Sequence, residues 1–236
     1  MKIARDHLAV ALDVKTPDEA YDLARAVSHH AGVVKIGLEL FIAAGPSVVS
    51  AFSGGAQKVF LDLKLHDIPE TVERAISRAA HVGAAFLTIH AHGGRAMMTA
   101  AARAAEGSGL RLLAVTVLTS HSSATLSEIN VTRSPEEHAL DLAKLAADCG
   151  VTGLVASPLE AARIRAALPD AFIVTPGIRP TLGALLKNDD QTRIATPSAA
   201  IKAGASLLVV GRPIRDADDR AAAARAIPEE VAAALE

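Results

Sequence analysis

The chain has 236 residues, half of them hydrophobic, and a formal charge of −2 at pH 7. This length suits one closed α/β barrel, so we expect a single domain over residues 1–236. Basic residues form no run and aromatic residues are scarce, which argues against a nucleic-acid partner. No apolar stretch approaches the roughly 18 residues of a membrane span, and early charges argue against a signal peptide, so we expect a soluble, cytoplasmic protein.

Short apolar runs recur along the chain and predict strands. They lie at residues 7–14, 33–38, 60–65, 86–91, 111–119, 153–157, 172–178 and 206–211. Helix signals between them predict helices over 16–30, over 39–53 with an interruption at Gly45-Pro46, over 69–82, after Gly94, from Ser134, from Pro158, over 197–203 and through the remainder after 211. Residues 120–134 and 179–197 are predicted to be loops.

Strict alternation of apolar strands with helices favours a parallel sheet whose outer face is covered by helices. Eight such units of about 30 residues predict a closed (β/α)8 TIM barrel. A doubly wound open sheet is the weaker alternative. No Gly-x-Gly-x-x-Gly motif follows the first strand, where a dinucleotide-binding sheet carries it.

The third predicted strand carries charges where apolar residues are expected. Asp62 and Lys64 interrupt it at a spacing of two, so their side chains are expected to project from the same face. Asp67 follows in the loop, just before the helix that starts near Pro69. Barrel enzymes place their chemistry at this junction of strand and helix.

Two further charges belong to neighbouring strands. Asp13 ends the first strand and Lys35 lies on the second, so both should converge with the charges of the third strand at the carboxyl-terminal mouth. Alternating signs would relieve much of the cost of burying them. A purely structural ion-pair network is the alternative, although apolar packing usually stabilises a core equally well.

An anion site is predicted on the opposite side of the barrel. The eighth strand ends in Gly211-Arg212, which suits a phosphate through a backbone N–H and a guanidinium group. Arg179 and Gln191, in the loop after the seventh strand, could close over the same group.

Several other residues could suggest chemistry. His90 and His92, with His66 nearby, resemble a metal-binding pair, but a polar barrel or dimer-contact role is the better interpretation. Cys149 is the only cysteine, so no internal disulfide can form, and we expect a buried small hydrophobic residue rather than a nucleophile.

In these residues and the motifs around them, the chain resembles the orotidine 5′-phosphate decarboxylase family over nearly its whole length. The most specific match is Leu-Asp-Leu-Lys-Leu-His-Asp-Ile-Pro-Glu-Thr at 61–71. The others follow in the family's order, as Ala-Leu-Asp at 11–13, Val-Lys-Ile-Gly at 34–37, Thr-Pro-Gly-Ile-Arg-Pro at 175–180, Asp-Asp-Gln at 189–191 and Val-Gly-Arg-Pro-Ile at 210–214.

The resemblance implies a reaction and a role for each matching residue. The reaction is decarboxylation of orotidine 5′-phosphate to uridine 5′-phosphate in pyrimidine biosynthesis, without cofactor or metal. Lys64 would donate the proton, Asp62 would face the substrate carboxylate, and Lys35 and Asp67 would complete the charged array. The other implied contacts are Asp13, Lys35 and Thr71 to the ribose, Thr119 to the pyrimidine region, and Arg179, Gln191, Gly211 and Arg212 to the phosphate. A homodimer is also implied, in which Asp67 reaches the partner's site.

Two rival functions remain open on the sequence. A metal-dependent sugar-phosphate decarboxylase or aldolase shares a similar Asp-x-Lys strand, but such relatives carry an acidic metal ligand where this chain has Lys35. A non-catalytic module that binds a phosphate-bearing ligand is the other alternative.

Overall fold

The computed structural model describes residues 2–180 and 193–235, and its core is a closed barrel of parallel strands in the order β1 to β8. The strands are Leu8–Ala11, Val33–Ile36, Lys58–Leu65, Phe86–His90, Arg111–Val115, Gly153–Val155, Phe172–Thr175 and Leu207–Val210. Leu8 of β1 pairs with Leu208 of β8, which closes the ring. The predicted (β/α)8 TIM barrel is therefore confirmed.

Helices lie outside the barrel; the first precedes the first strand and the other described helices follow strands. They are α1 (Lys2–Arg5), α2 (Pro17–Val27), α3 (Leu38–Ala44), α4 (Ser47–Phe52), α5 (Pro69–His81), α6 (Gly94–Ala105), α7 (Ser123–Glu128), α8 (Pro135–Asp148), α9 (Pro158–Ala167), α10 (Pro197–Lys202), α11 (Arg212–Arg215) and α12 (Arg220–Leu235), with a 3-10 turn at Ala91–Gly93. The predicted interruption of 39–53 is confirmed, since Gly45 adopts φ +66° between α3 and α4.

Two predicted features differ from the structure. The segment 120–134 is not wholly a loop, because Ser122 accepts the Thr125 N–H and starts α7, whose Leu126 is buried. Most strands also end earlier than predicted. β5 leaves the sheet after Val115, but Val117 stays buried against the core, so its apolar pattern continues past the strand. Part of the predicted loop 179–197, including Gln191, lies outside the described residues.

Helix starts are specified locally. Thr16, Ser134 and Ser157 each form a capping box, in which the hydroxyl accepts an N–H and a glutamate three residues later returns the bond. Proline follows each cap, where its missing N–H costs nothing. These starts fix where each helix leaves the barrel rim.

Apolar side chains of the strands fill the amino-terminal part of the barrel interior. Its buried apolar residues form one cluster inside the ring, namely Ala9, Val33, Phe60, Phe86, Leu113, Val174 and Leu207. Phe86 stacks on Phe172 with ring centroids 5.7 Å apart, and the Arg111 guanidinium covers that second ring at 4.5 Å. Inside the ring of the described strands, a ligand cavity is therefore expected at the carboxyl-terminal end.

The remaining apolar residues pack between barrel and helices. Cys149 lies buried in this layer, as predicted. Among the described helices, none combines the length and the apolar character needed to cross a bilayer.

Candidate active site

A chain of alternating charges runs across the carboxyl-terminal ends of β1, β2 and β3. The Lys35 ammonium donates to Asp13 Oδ1 at 3.0 Å and lies 3.7 Å from Asp62 Oδ2. The Lys64 ammonium donates to both Asp62 carboxylate oxygens at 2.9 Å each. The structure thus brings together four of the five charges that the sequence predicted to meet.

The middle of this array is shielded from solvent and its ends are open. Lys35 and Asp62 side chains are 10% and 14% exposed, whereas Lys64 is 33% and Asp13 44% exposed. Burial alone would raise the pKa of the Asp62 carboxyl. The charges of Lys35 and Lys64, with the hydrogen bonds that Asp62 accepts, outweigh burial and hold that pKa below its ordinary value. Asp62 is therefore an anion at neutral pH.

Lys64 is positioned by an irregularity in β3 rather than by regular strand alternation. The pairing of β3 with β4 shifts between Leu61 and Leu65, and Lys64 adopts φ +50°, a left-handed conformation that costs free energy in a non-glycine residue. Thr88 of β4 supports this backbone. Its hydroxyl accepts the Lys64 N–H at 2.8 Å and donates to Asp62 Oδ1 at 2.9 Å.

Sequence reasoning missed Thr88. Its side chain is buried, and it is the hydroxyl residue in the otherwise apolar start of β4, Phe-Leu-Thr-Ile. That signal was present in the sequence, since a buried hydroxyl needs a hydrogen-bond partner. The partner's identity required the neighbouring strand.

Gly37 was matched only as part of a motif, and the structure gives its physical reason. A Cβ at this position would lie 3.0 Å from Asp13 Oδ1 and 3.1 Å from Lys35 Nζ. A larger residue would crowd the ion pair, so glycine lets the start of α3 pass close to the charged array.

A cavity of about 260 Å³ opens beside the array, near the lower end of the range for small-molecule sites, about 300 Å³. Its floor is the apolar interior of the barrel, with Phe60, Val115, Val155, Val174 and Val209. Lys35, Asp62 and Lys64 line one wall. Leu118 and Thr119, after β5, line another.

A second depression, of about 680 Å³, lies at the other end of the barrel. It is lined by Arg111 and Thr152, at the amino ends of β5 and β6, and by α6 residues such as Thr99. The array and the predicted phosphate residues lie at the opposite end, where barrel enzymes carry out their chemistry. We therefore place the site at the carboxyl-terminal cavity.

The predicted phosphate residues lie on neighbouring strand ends. Gly211 follows β8, and a Cβ there would be 3.7 Å from Asp13 Oδ2, so this turn lies beside the start of the charged array. Arg212 begins α11. Arg179 follows β7, and its backbone N–H donates to the Ala195 carbonyl at 2.9 Å. The remaining predicted phosphate contact, Gln191, lies outside the described residues.

Asp67 and Thr71 are set apart from the array within one chain. Asp67 is exposed, and its carboxylate accepts the Ile68 N–H at 2.6 Å. Thr71 is exposed on the first turn of α5, and neither residue is among the described residues that line the cavity. The expectation that Asp67 joins the other four charges is therefore not met inside a single chain.

Four histidines form a row in which each ring lies near the next, namely His66, His90, His92 and His138. The His66 and His90 rings are 5.7 Å apart, and His92 Nε2 lies 2.9 Å from His138 Nε2. Burial, reinforced by the neighbouring histidines, lowers the pKa of His90 to about 4, so this ring is neutral at pH 7. The described part of the chain holds no group of three or more His, Cys, Asp or Glu placed to bind a metal.

The chemistry available follows from this arrangement. An ammonium group that can give up a proton stands at the edge of an apolar cavity, fixed by a carboxylate whose pKa is lowered. Preorganised charge in a water-poor site stabilises charge that develops on a bound molecule. The site therefore suits a reaction that passes through a carbanion and ends in its protonation.

Comparisons with known proteins agree with this geometry. A sequence model of the "Orotidine 5'-phosphate decarboxylase / HUMPS family" matches residues 6–227. An orotidine 5′-phosphate decarboxylase of Anaeromyxobacter sp. (strain K) is 51% identical over 94% of this chain and 96% of its own. That of Heliobacterium modesticaldum is 48% identical over 98% of both. A crystal structure of the Lactobacillus acidophilus decarboxylase superposes with a TM-score of 0.83, at 37% identity, over 96% of this chain and 99% of the other.

Proposed function

Because the chain belongs to the orotidine 5′-phosphate decarboxylase family and is a decarboxylase of pyrimidine biosynthesis, we propose that Lys64 protonates the C6 carbanion left by CO2 and that no cofactor takes part. The observation that carries this proposal is the Lys64 ammonium, 2.9 Å from both oxygens of Asp62 at the edge of the cavity. The substrate is orotidine 5′-phosphate, and the products are uridine 5′-phosphate and CO2.

The proposed step needs one proton and no redox partner. The bond between C6 and the carboxylate breaks, CO2 leaves, and the electron pair stays on C6. Lys64 transfers a proton to that carbon and recovers one from solvent before the next turnover. Asp62, an anion at this edge, would face the substrate carboxylate and favour its departure, while the two lysines balance its charge.

Proton donation alone does not account for the rate acceleration expected of an enzyme. General acid catalysis contributes about 10²–10⁴-fold, whereas enzymes accelerate their reactions by about 10⁶–10¹⁷-fold. The remainder must come from preorganised charge and from binding energy gained far from the reacting carbon. Arg179, Gln191, Gly211 and Arg212 are proposed to supply that energy at the phosphate, with Asp13, Lys35 and Thr71 at the ribose and Thr119 near the pyrimidine.

One assay tests this function against its rivals. The purified chain is mixed with orotidine 5′-phosphate, and ultraviolet absorbance and released CO2 are followed with and without EDTA. We expect CO2 release that the chelator leaves unchanged. Loss of activity in EDTA would favour a metal-dependent sugar-phosphate enzyme, and tight nucleotide binding without CO2 would favour a binding module. The ion pairs of Lys35 with two carboxylates speak against the metal, because a buried cation there would repel it.

We propose further that Asp67 completes the site of a second copy of the chain. The exposed Asp67 stands beside Ile68, whose side chain is 65% exposed, and α3 presents Leu38 and Ile42 at 49% and 78% exposure. Because α3 follows β2 and Asp67 follows the neighbouring β3, both stand on the same part of the rim. Exposed apolar side chains there suit an interface between subunits.

Heterodimers test the contribution of Asp67. A dimer that pairs one Lys64→Ala chain with one Asp67→Asn chain should retain about half of wild-type activity, because one of its two sites keeps both residues. A dimer of Lys64→Ala with Asp62→Ala is the control and should stay inactive, since each site then carries a lesion. Inactivity of the first heterodimer would place Asp67 in its own chain's site.

Thr88 is expected to position the catalytic pair. Thr88→Val keeps the side-chain shape but removes the hydroxyl, so the Lys64 amide and the Asp62 carboxylate each lose a bond. We expect kcat to fall by about 10²-fold, the effect of a displacement near 1 Å, with a smaller change in KM. Thr88→Ser keeps the hydroxyl and should retain most of the activity. Steady-state kinetics on both variants checks this, and a wild-type kcat in Thr88→Val would contradict it.

A further inference from the structure

A buried ion pair lies outside the charged array and is not used by the mechanism above. Glu160, in the first turn of α9, is 1% exposed, and Arg193, in the segment after β7, is 8% exposed. The Arg193 guanidinium donates to Glu160 Oε1. Glu160 Oε2 accepts the Ser157 N–H at 2.9 Å and thereby caps α9. The carboxylate is fixed to the barrel rim from both sides.

The same guanidinium reaches the wall of the cavity. Arg193 Nη2 donates to the Leu118 carbonyl at 2.8 Å, and Nε approaches the Thr119 carbonyl at 3.5 Å. Leu118 and Thr119 both line the cavity, whereas Arg193 is not among its described lining residues. The described contacts of Arg193 therefore link it to a ligand through the backbone that it holds.

Arg193 also precedes the short pairing that carries a predicted phosphate residue. Two residues later, Ala195 bridges to Ile178, and its carbonyl accepts the Arg179 N–H at 2.9 Å. One buried cation thus joins the start of α9, the cavity wall after β5 and the segment that carries Arg179. These three pieces are far apart in sequence. Among the described residues, no backbone hydrogen bond joins any two of them directly.

A buried ion pair seldom adds to the stability of the fold, so a second role for it is worth seeking. Desolvation of two charges often cancels their attraction, and apolar residues of similar size stabilise a core equally well. Burial raises the pKa of Glu160 to about 6, against the opposing effect of the Arg193 charge. Five fixed N–H donors allow arginine to satisfy a carboxylate and two carbonyls at once, which no apolar residue can do.

We propose that Arg193 is a positioning residue that holds the Leu118–Thr119 wall against the bound pyrimidine ring. The kinetic consequence rests on the proposed function, but the structural consequence does not. Without the guanidinium, the two carbonyls lose the bonds that tie the wall to the segment after β7. The Leu118 carbonyl still accepts the His121 N–H at 2.9 Å, but that bond lies within the same loop, so the wall as a whole is less restrained at the cavity. Substrate binding then weakens, while the charged array at Lys64 is untouched.

Four variants separate positioning from stability. Arg193→Met removes the donors and leaves the Glu160 carboxylate buried without its cation. Glu160→Gln keeps Arg193 and its two carbonyl bonds but leaves a buried cation without its anion, so it is the control for an unpaired charge without loss of the donors. The double variant, with both changes, has no unpaired buried charge and should fold if Arg193→Met does not. Arg193→Lys keeps the charge but cannot span all three acceptors.

Two measurements are made on each variant. Amide hydrogen exchange of the peptide covering 116–121 should be faster in both variants that carry methionine, intermediate in Arg193→Lys and unchanged in Glu160→Gln. KM for orotidine 5′-phosphate should rise roughly tenfold in the methionine variants, with a smaller change in kcat, as expected for lost binding contacts. Thermal unfolding should show the double variant more stable than Arg193→Met, without recovery of KM.

The outcomes are decisive in either direction. If exchange and KM return to wild-type values in the double variant, activity follows stability and the positioning role is wrong. Unchanged exchange at 116–121 in both methionine variants would also overturn it. A wild-type chain without decarboxylase activity would refute the proposed function alone, and the exchange comparison would still decide whether Arg193 holds the wall.

Discussion

Replacing Lys64 with alanine is expected to lower kcat by at least about 10⁴-fold, because the proposed proton donor and a charge proposed to stabilise the carbanion would be lost together. The fold should persist. Asp62 keeps the Lys35 ammonium at 3.7 Å and the Thr88 hydroxyl at 2.9 Å, so its carboxylate is not left without partners. CO2 release measures the first expectation and thermal unfolding the second.

Lys64→Arg separates the two proposed roles of this side chain, which are proton donation and charge stabilisation. Arginine keeps a positive charge but does not give up a proton in this pH range. We expect Lys64→Arg to remain inactive although it preserves the charge. By microscopic reversibility, the wild-type chain should also exchange the C6 hydrogen of uridine 5′-phosphate with deuterium from D2O, and Lys64→Ala should not. A near-normal kcat in either variant would remove Lys64 from the chemistry.

The second large loss of activity is expected when the substrate lacks its phosphate, a group far from the reacting carbon. Removing the phosphate from the substrate should lower kcat/KM by at least about 10³-fold, because the several charge-assisted hydrogen bonds proposed at the phosphate would be lost at once. The reacting centre itself is unchanged. Kinetics with orotidine in place of orotidine 5′-phosphate measures this loss.

Arg212→Met provides the control for that comparison. This change should lower kcat/KM for orotidine 5′-phosphate but leave the slow reaction of orotidine unaltered, because the nucleoside has no phosphate to bind. Equal losses with both substrates would show that Arg212 acts on something other than the phosphate. Equal kcat/KM for the two substrates in the wild type would contradict the remote-binding argument.

Much of the architecture could be predicted from local patterns. Apolar runs that alternate with capped helices indicated a closed parallel barrel, since each element carries its own period and start signal. Charges at the ends of neighbouring strands predicted that the functional site lies at the carboxyl-terminal mouth of the barrel. Asp13, Lys35, Asp62 and Lys64 do meet there, because consecutive parallel strands place their carboxyl ends side by side.

The reason why Lys64 meets Asp62 could not be predicted in the same way. A spacing of two suggested regular alternation, whereas the structure shows a register shift and a left-handed Lys64 supported by Thr88 of the next strand. Strand ends were also predicted too late, since burial outside a strand produces the same apolar pattern as burial within one.

The sequence by itself determined the barrel, the rim on which the charges stand and the sign of each charge, because these depend on residue type and near-neighbour spacing. Only the tertiary structure decided that Thr88 supports Lys64, that Gly37 makes room for the ion pair and that Arg193 joins Glu160 to the Leu118 and Thr119 carbonyls. Thr88 lies 24 residues from Lys64, and Arg193 lies 74 from Thr119. Partners so far apart in sequence are brought together by the packing of strands and their loops side by side in the barrel, which no local sequence pattern specifies.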